Sequence, residues 1–465
     1  MSEGDNWKSK AAYYINDFGE GTTLHGIRYI INKKFHPSER LFWLAIVVLA
    51  TYGATALIYN SWYRYSSNPT VISLEKDFRD WNLLFPAATV CFQERLNESA
   101  ATEILTERWN VDNSSKEMNL YMNFLNSVVN ISYENLDEFQ DYVQDPVLAK
   151  ISGEEMAEIA RKVMVEMEYH ATIFNSAYKH LIFHEVLTEM GICYTYSGLV
   201  ANYISLIDNP RPKKHSLPTC NYLNSLCYAR IEDLPTAIRY YVHAPTEIPD
   251  SSNKYFLVSR NMERDTSFRF QETVASKDLR RLDPKQRQCR FYNEPLEKSD
   301  DEIYSYNYCR MKCRKSMAFE YCGCAPYFYK KEEGIPVCNV EGLACLAKYA
   351  KNLIRMQDKN GKGKKCDCAF LCETTDFYID KNAVRKWTYP VPCNIRFRWA
   401  IEHYSKTRLK RDIIFGLEDL LVSLGGTAAL FLGSSVLSFV EVIYYLTLRL
   451  FWFLVSSNKK QKKDT

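Results

Sequence analysis

Long apolar runs are scarce in this chain. Only two segments of its 465 residues are apolar for long enough to cross a bilayer, and the mean hydropathy is −0.33. A polytopic transporter of this length needs many more spans and is excluded. An excess of charge of one sign is also lacking, since 59 Lys and Arg against 56 Asp and Glu leave a net +3. With that balance, and with no Lys/Arg stripe interleaved with aromatics, nucleic acid is not an expected partner. Long disorder is excluded by an aromatic content of 14%, which is far above that of solvated, charge-rich sequences. Cysteine is absent from residues 1–90 and from 394–465; all 15 lie between Cys91 and Cys393. Disulfides persist in oxidising compartments and are rare in the cytosol. The middle of the chain therefore reads as extracellular and both ends as cytosolic.

The apolar runs sit where that topology needs them. Leu41 to Tyr59 is 19 residues without a charge, enough to cross a ~30 Å hydrocarbon core. Forty polar residues precede it and no small-residue cleavage site follows, so it reads as a retained span rather than a signal peptide. The second run extends from near Leu420 to about Val455, broken only by Glu441 and Arg449. As one helix it is over ~50 Å long, so it must tilt, protrude or break. Lys459, Lys460, Lys462 and Lys463 follow it, and Lys33, Lys34 and Arg40 precede the first run, as expected for cytosolic flanks. Three Asn-x-Ser/Thr sequons, at Asn97, Asn113 and Asn130, all lie in the outside region. The expected organisation is a cytosolic N-terminus (1–40), a first transmembrane helix (41–60), an ectodomain (61–416), a second transmembrane helix with the pore (417–457) and a cytosolic C-terminus (458–465).

Within the ectodomain, Phe85 to Cys91 reads as a strand. Residues 93–190 are rich in Glu, Lys, Leu and Met at helical spacing, as in Glu154 to Phe174, and read as mainly helical. From Ile238 the pattern alternates: Ile238, Tyr240 and Val242, then Tyr255 to Ser259, then Phe268 and Phe270. The class is α+β. Ten cysteines crowd into residues 289–372. Cys309 and Cys313 share one helix face, and Cys366, Cys368 and Cys372 lie on an opposing arm. The spacers in Cys322-Gly-Cys324 and Cys366-Asp-Cys368 are one residue, shorter than those of zinc sites, so disulfides rather than a metal are expected.

Catalytic patterns fail on inspection. His180 and His184 are four apart on an expected helix, but Leu181 stands where a zincin needs Glu and Phe183 where the inverted pattern needs it. Leu437 replaces the second Gly of a nucleophile elbow around Ser434 and Ser435. Lys362, Lys364 and Lys365 lie in a Gly-Lys run without phosphate-loop spacing. No enzyme activity, cofactor or metal is expected.

The second apolar run carries the chemistry. Gly425, Ala429 and Gly433 recur every four residues, a spacing that lets helix backbones approach in lipid. Gly433-Ser434-Ser435 places flexible backbone and two hydroxyls in mid-membrane. Irregular backbone at that depth is tolerated only inside protein or along water, and its oxygens can replace the hydration shell of a small cation. Glu441 lies seven residues after Ser434, on the same face of a continuous helix, and an intramembrane carboxylate usually faces a pore or a partner. One such helix cannot enclose a pore, so an oligomer is required.

These residues resemble the degenerin/epithelial sodium channel superfamily, and most of all its insect pickpocket branch. His25-Gly26 is similar to its cytosolic gating motif, Glu39 to Trp43 to the approach to its first span, and Phe85 to Cys91 to its first palm strand. Gly191 to Tyr196 is similar to its Gly-x-Cys-Tyr-Thr-Phe motif, and Gly433-Ser434-Ser435 stands at its Gly-x-Ser selectivity filter. The resemblance implies a hand-like, disulfide-rich α+β ectodomain of palm, helical finger (about 93–190) and thumb (about 298–370) on two transmembrane helices. Implied pairs are Cys91–Cys193, Cys220–Cys227, Cys289–Cys372, Cys309–Cys368, Cys313–Cys366, Cys322–Cys345 and Cys324–Cys338, leaving Cys393 as a free thiol. Further implied are a homo- or heterotrimer of related subunits in plasma-membrane lipid, Na⁺ as the permeant ion, block by amiloride-type compounds, and gating by an extracellular stimulus left unspecified. Ser423, Gly425, Gly426 and Ala429 fall in the gate region, and Leu430 and Glu441 line the pore. Gln286 replaces the Trp that the acid-sensing branch carries three residues before the cysteine matching Cys289, a departure from proton-gated relatives. ATP-gated trimeric channels and bitopic receptors or adhesion proteins share the topology; the former lack the Gly-x-Ser filter, and the latter need no filter.

Overall fold

A computed structural model of the chain describes residues 3–111, 117–174, 182–204, 217–224, 227–296, 301–387 and 395–461. It comprises two units, one of residues 1–71, 276–287 and 412–465 and the other of residues 72–275 and 288–411.

The first unit is helical. It holds α1 (Glu3–Gly21), α2 (Ile27–Ile31), α3 (Pro37–Ser67), the single turn α8 (Pro284–Arg287), α12 (Leu417–Leu432), α13 (Val436–Tyr444) and α14 (Leu450–Gln461), with a π-helical turn at Tyr445–Arg449 joining the last two. Among the described residues two stretches are long and apolar enough to cross a membrane, Pro37–Ser67 and Val436–Val455. α3 outruns the expected 41–60 at both ends. Pro37 sits in its first turn, where no N–H partner is needed, and His36 caps it by accepting from the Ser38 N–H. At the far end nothing stops the helix until Asn68-Pro69, since a residue before proline avoids the α region. The second apolar run is not one helix; it breaks between α12 and α13.

The second unit is α+β and carries all the disulfides. A seven-stranded sheet runs in the order β1 (Thr70–Glu75), β14 (Arg408–Ile413), β11 (Met262–Ala275), β13 (Ile395–Ile401), β8 (Cys227–Glu232), β4 (His170–Phe174), with β12 (Thr374–Lys386) also paired to β11. A five-stranded antiparallel sheet runs β10 (Phe256–Val258), β9 (Ile238–His243), β3 (Ala87–Phe92), β6 (Gly191–Tyr196), β5 (His184–Thr188). β2 (Asn82–Leu84) pairs with β7 (Thr219–Asn221). The sheets share a core of Phe85, Val90, Tyr240, Phe268, Phe397 and Trp399. Trp399 is fully buried, and its indole N–H donates to the Pro86 carbonyl at 3.1 Å, so the polar edge of the ring is satisfied.

The remaining helices are α4 (Glu98–Trp109), α5 (Glu117–Val129), α6 (Gly153–Val163), α7 (Leu199–Ile204), α9 (Tyr306–Cys322), α10 (Val340–Ala347) and α11 (Ala350–Ile354). Together with the β5–β6 hairpin they enclose a second core around Phe124, Leu125, Phe139, Phe328 and Leu343. Their ends follow the capping rules. Asn97 caps α4, Ser152 and Glu155 form a capping box on α6, and Gly323 closes α9 at φ 72°.

The expectation of helix through residue 190 fails beyond α6. Met164 is already extended, and His170–Phe174 pairs with β8. The same spacing also fits a half-buried edge strand, and the tertiary partner decided between the two. His184 opens β5, so it has no helical relation to His180, which lies outside the described residues. Seven disulfides join Cys91–Cys193, Cys220–Cys227, Cys289–Cys372, Cys309–Cys368, Cys313–Cys366, Cys322–Cys345 and Cys324–Cys338. These are the pairs that the resemblance implies. Cys393 and Asn113 lie outside the described residues. Asn97 and Asn130 stand at the start of α4 and just past α5.

A buried charge network holds α9 to the second unit's sheet turn. Arg314 is fully buried; it donates to Glu189 at 2.7 Å and to Asp250 at 3.0 Å. Tyr329 donates to the other Glu189 oxygen at 2.7 Å, and the Ser251 N–H completes the set at 3.0 Å.

Candidate functional site

The site is the break in the second membrane segment and the N-terminal stretch packed on it. α12 ends because Gly433 takes the left-handed conformation, φ 57°, and returns its N–H to Ala429 at 2.9 Å. α13 begins two residues later with Ser435 as its cap, accepting from the Ser438 N–H at 3.3 Å. Each helix end leaves backbone groups without partners. Ser434 hydroxyl donates back to the Ala428 carbonyl at 3.2 Å and is 3% exposed. Both hydroxyls of the Gly-Ser-Ser run thus close helix ends within this chain.

The break also corrects the expected alignment of Ser434 with Glu441. Seven-residue spacing defines a face only on a continuous helix, and none joins them. Glu441 belongs with Ser438 on α13, and Thr23 bridges the two. The Thr23 N–H and hydroxyl donate to Glu441 Oε2 at 3.3 and 2.6 Å, and Thr23 Oγ1 lies 2.9 Å from Ser438 Oγ. The intramembrane carboxylate expected along the pore is therefore held by the N-terminal segment.

His25 and Gly26 follow directly. Gly26 is buried at φ 88°, and a Cβ there would stand 2.5 Å from Val47 of α3. A Cβ on Gly433 would stand 2.2 Å from His25 Nδ1. The two glycines let a histidine from one end of the chain abut the helix break at the other. Below the break α1 lies along the π turn and α14. Phe18 packs edge-on to Tyr445 at 5.3 Å, the Tyr14 hydroxyl donates to the Tyr445 carbonyl, and Arg449 pairs with Asp17 at 3.1 Å. The two charges that interrupted the second apolar run, Glu441 and Arg449, both find partners in the first 25 residues. Nothing in the local sequence marked Thr23 or Asp17; the signal was that two intramembrane charges needed partners.

Above the break, α12 packs one face on α3. Ser423 Oγ is 2.9 Å from Ser61 Oγ, and Phe431 fills the space over Gly53. Gly425, Gly426, Ala429 and Gly433 are exposed on this single chain, and Leu430 is 79% exposed. Ser423, expected beside them in the gate region, is instead bonded to α3. Gln286, in place of the acid-sensing tryptophan, reaches the Tyr65 carbonyl at the end of α3 at 3.4 Å.

The sequence model of the amiloride-sensitive sodium channel family matches residues 18–445, which takes in the N-terminal motif, the first membrane segment and the break, and ends within the second segment. The chain belongs to that family. Its members are membrane-embedded ion channels, not enzymes, and they form multimeric channels. Sodium channel protein Nach of Drosophila melanogaster is 22% identical, over 93% of this chain and 86% of the relative. Pickpocket protein 28 of the same fly is 21% identical over 95% and 79%. The human bile acid-sensitive ion channel is 21% identical over 95% and 87%. The chain is thus a two-span degenerin/epithelial sodium channel protein with pickpocket similarity and a disulfide-rich ectodomain.

Proposed function

We propose that this chain is a subunit of a trimeric, sodium-selective, amiloride-sensitive channel of the plasma membrane, gated through its ectodomain, with both termini cytosolic. The observation that carries the reading is the helix break at Gly433-Ser434-Ser435, stabilised by a left-handed glycine against His25. A break at membrane depth is costly in lipid and tolerated beside water or protein. Three copies around an axis bring three breaks together and make the narrowest, most oxygen-rich level of a pore, where Na⁺ sheds part of its hydration shell. The exposed small residues Gly425, Gly426 and Ala429 leave room for neighbouring copies to approach, and Leu430 supplies an apolar ring one turn above the break. No cofactor is used; Na⁺ is cargo.

Gating follows from chain connectivity. β1 follows directly from α3 and β14 leads into α12, so displacement of the disulfide-stapled thumb reaches both membrane helices through these two strands. The trimer is homomeric or built with related subunits. The test is expression in oocytes under a panel of mechanical, osmotic, peptide, small-ligand and acid stimuli, alone and with related subunits, recording amiloride-sensitive current. Ser435→Cys is expected to lower Na⁺ over K⁺ discrimination, and Glu441→Gln to lower unitary conductance. Unchanged selectivity and conductance in Ser435→Cys channels would remove the filter assignment.

A further inference from the structure

Between α5, the β5–β6 turn and β9 the second unit encloses a cavity of about 360 Å³, within the size range of small-molecule sites. Arg95 lines it and is 7% exposed. A buried guanidinium is normally paired with a carboxylate, and Arg95 is not. Among the described residues its acceptors are two backbone carbonyls, Phe92 at 2.8 Å and Val129 at a long 3.4 Å. The groups that act on it electrostatically are Tyr327, Tyr241 and a second cation, Arg239. Burial lowers its pKa to about 10, which still leaves it charged at physiological pH.

Three of the other four charges on the wall are paired. Arg239 pairs with Glu134 at 3.2 Å and lies over the Tyr255 ring at 4.9 Å. Glu189 is taken by Arg314, Tyr329 and Ser251, and Glu138 is exposed. Tyr241 is 4% exposed and lines the same cavity; among the described residues its hydroxyl has no acceptor. Burial raises its pKa to about 12, so it stays a donor. The cavity therefore presents a buried cation with no carboxylate bonded to it and one free hydroxyl donor, ringed by carboxamides such as Asn126 and Asn253, with the exposed Glu138 carboxylate also on the lining. Gly191 makes room for this arrangement, because a Cβ there would stand 2.2 Å from Arg95 Nη1.

We propose that Arg95 and Tyr241 form a binding site for a small organic carboxylate on a short polar body. The carboxylate supplies the counter-charge that Arg95 lacks and accepts from its guanidinium and from the Tyr241 hydroxyl. The amide walls suit hydroxyl or carbonyl substituents rather than an aliphatic tail.

The test uses the full-length protein purified in detergent, followed by intrinsic-tryptophan thermal unfolding. Sodium lactate, sodium acetate and sodium chloride are titrated separately against the bulky sulfonate Mes, at constant sodium and ionic strength. Lactate and acetate should raise the midpoint saturably, by roughly 2–5 °C at a hundredfold excess over Kd. Arg95→Gln should abolish the shift. Tyr241→Phe, which keeps the charge, should weaken half-saturation about tenfold. If Arg95→Gln does not fold, Arg95→Lys keeps a cation but loses the fork and should also weaken half-saturation. Chloride matching lactate in midpoint shift and half-saturation would make this a halide site and overturn the carboxylate assignment. Absence of saturation with both carboxylates, or a full shift surviving in Arg95→Gln, would overturn the site itself.

Discussion

Gly433→Ala probes the contact that joins the two ends of the chain. The added Cβ acts through two separable effects. At φ 57° an L-residue pays the left-handed backbone cost, about 1–2 kcal/mol. The Cβ also stands 2.2 Å from His25 Nδ1, where ordinary contact begins at 3.4 Å, so the ring must retreat by about 1.2 Å. The backbone effect is independent of His25, whereas the clash disappears when His25 is Ala. The two positions should therefore couple by about 0.5–3 kcal/mol in a double-mutant cycle. Expressed in gating, where 1.4 kcal/mol is tenfold, the backbone cost alone should change open probability by roughly five- to thirtyfold, and this is the effect of Gly433→Ala expected in the His25→Ala background. With His25 in place the coupling should multiply that change by a further factor of about two to a hundred and fifty. The assay is single-channel open probability and the Na⁺/K⁺ reversal potential for wild type, both single variants and the double variant. Free-energy effects that simply add would refute the contact; a silent Gly433→Ala would refute the left-handed break as well.

Three further outcomes are expected. Arg314→Met leaves Glu189 buried without its cation and Asp250 with only Arg310 at 3.3 Å and should cost about 3–5 kcal/mol; a cost below 1 kcal/mol by chemical unfolding would contradict the network. Replacing Cys91 and Cys193 by Ser removes a bridge spanning 102 residues, and chain entropy alone predicts a loss of about 4–5 kcal/mol, visible as loss of surface protein by biotinylation. The Nε2 of His243 lies 2.8 Å from Thr89 Oγ1, and burial lowers its pKa to about 4. The unfolded chain, with His near 6.5, then binds more protons between about pH 4 and 6.5, so this residue's contribution is complete above that window and lost as pH falls through it, by up to about 3 kcal/mol. Buried Glu247, whose pKa is raised by desolvation, slopes the other way, so the readout is the difference between wild type and His243→Gln; identical pH dependence of their midpoints would count against it.

Topology was legible in one dimension. Span length and the partition of 15 cysteines are properties of composition along the chain, and they pointed to two apolar spans with a disulfide-rich domain between them without any long-range contact. So were the α+β class and the strands expected from Phe85, Ile238, Tyr255 and Phe268, which fall on β3, β9, β10 and β11. The segment from Met164 to Phe174 was not legible. Its apolar spacing suited a helix face and a half-buried edge strand alike, and pairing with β8 settled the matter. The expected common face of Ser434 and Glu441 failed for a related reason: residue spacing implies a direction only while the helix is unbroken.

What the amino-acid sequence determined by itself was the kind of molecule: two spans, a stapled ectodomain, and a glycine and two serines where a helix in lipid ought not to stop. Tertiary structure decided the partnerships. His25 against Gly433, Thr23 on Glu441 and Asp17 on Arg449 link residues more than 400 positions apart. Arg95 reads locally as an ordinary surface cation until burial strips it of water without supplying a carboxylate. A charge's need for a partner is written in its residue type; which atoms meet that need depends on distances that only the folded chain defines.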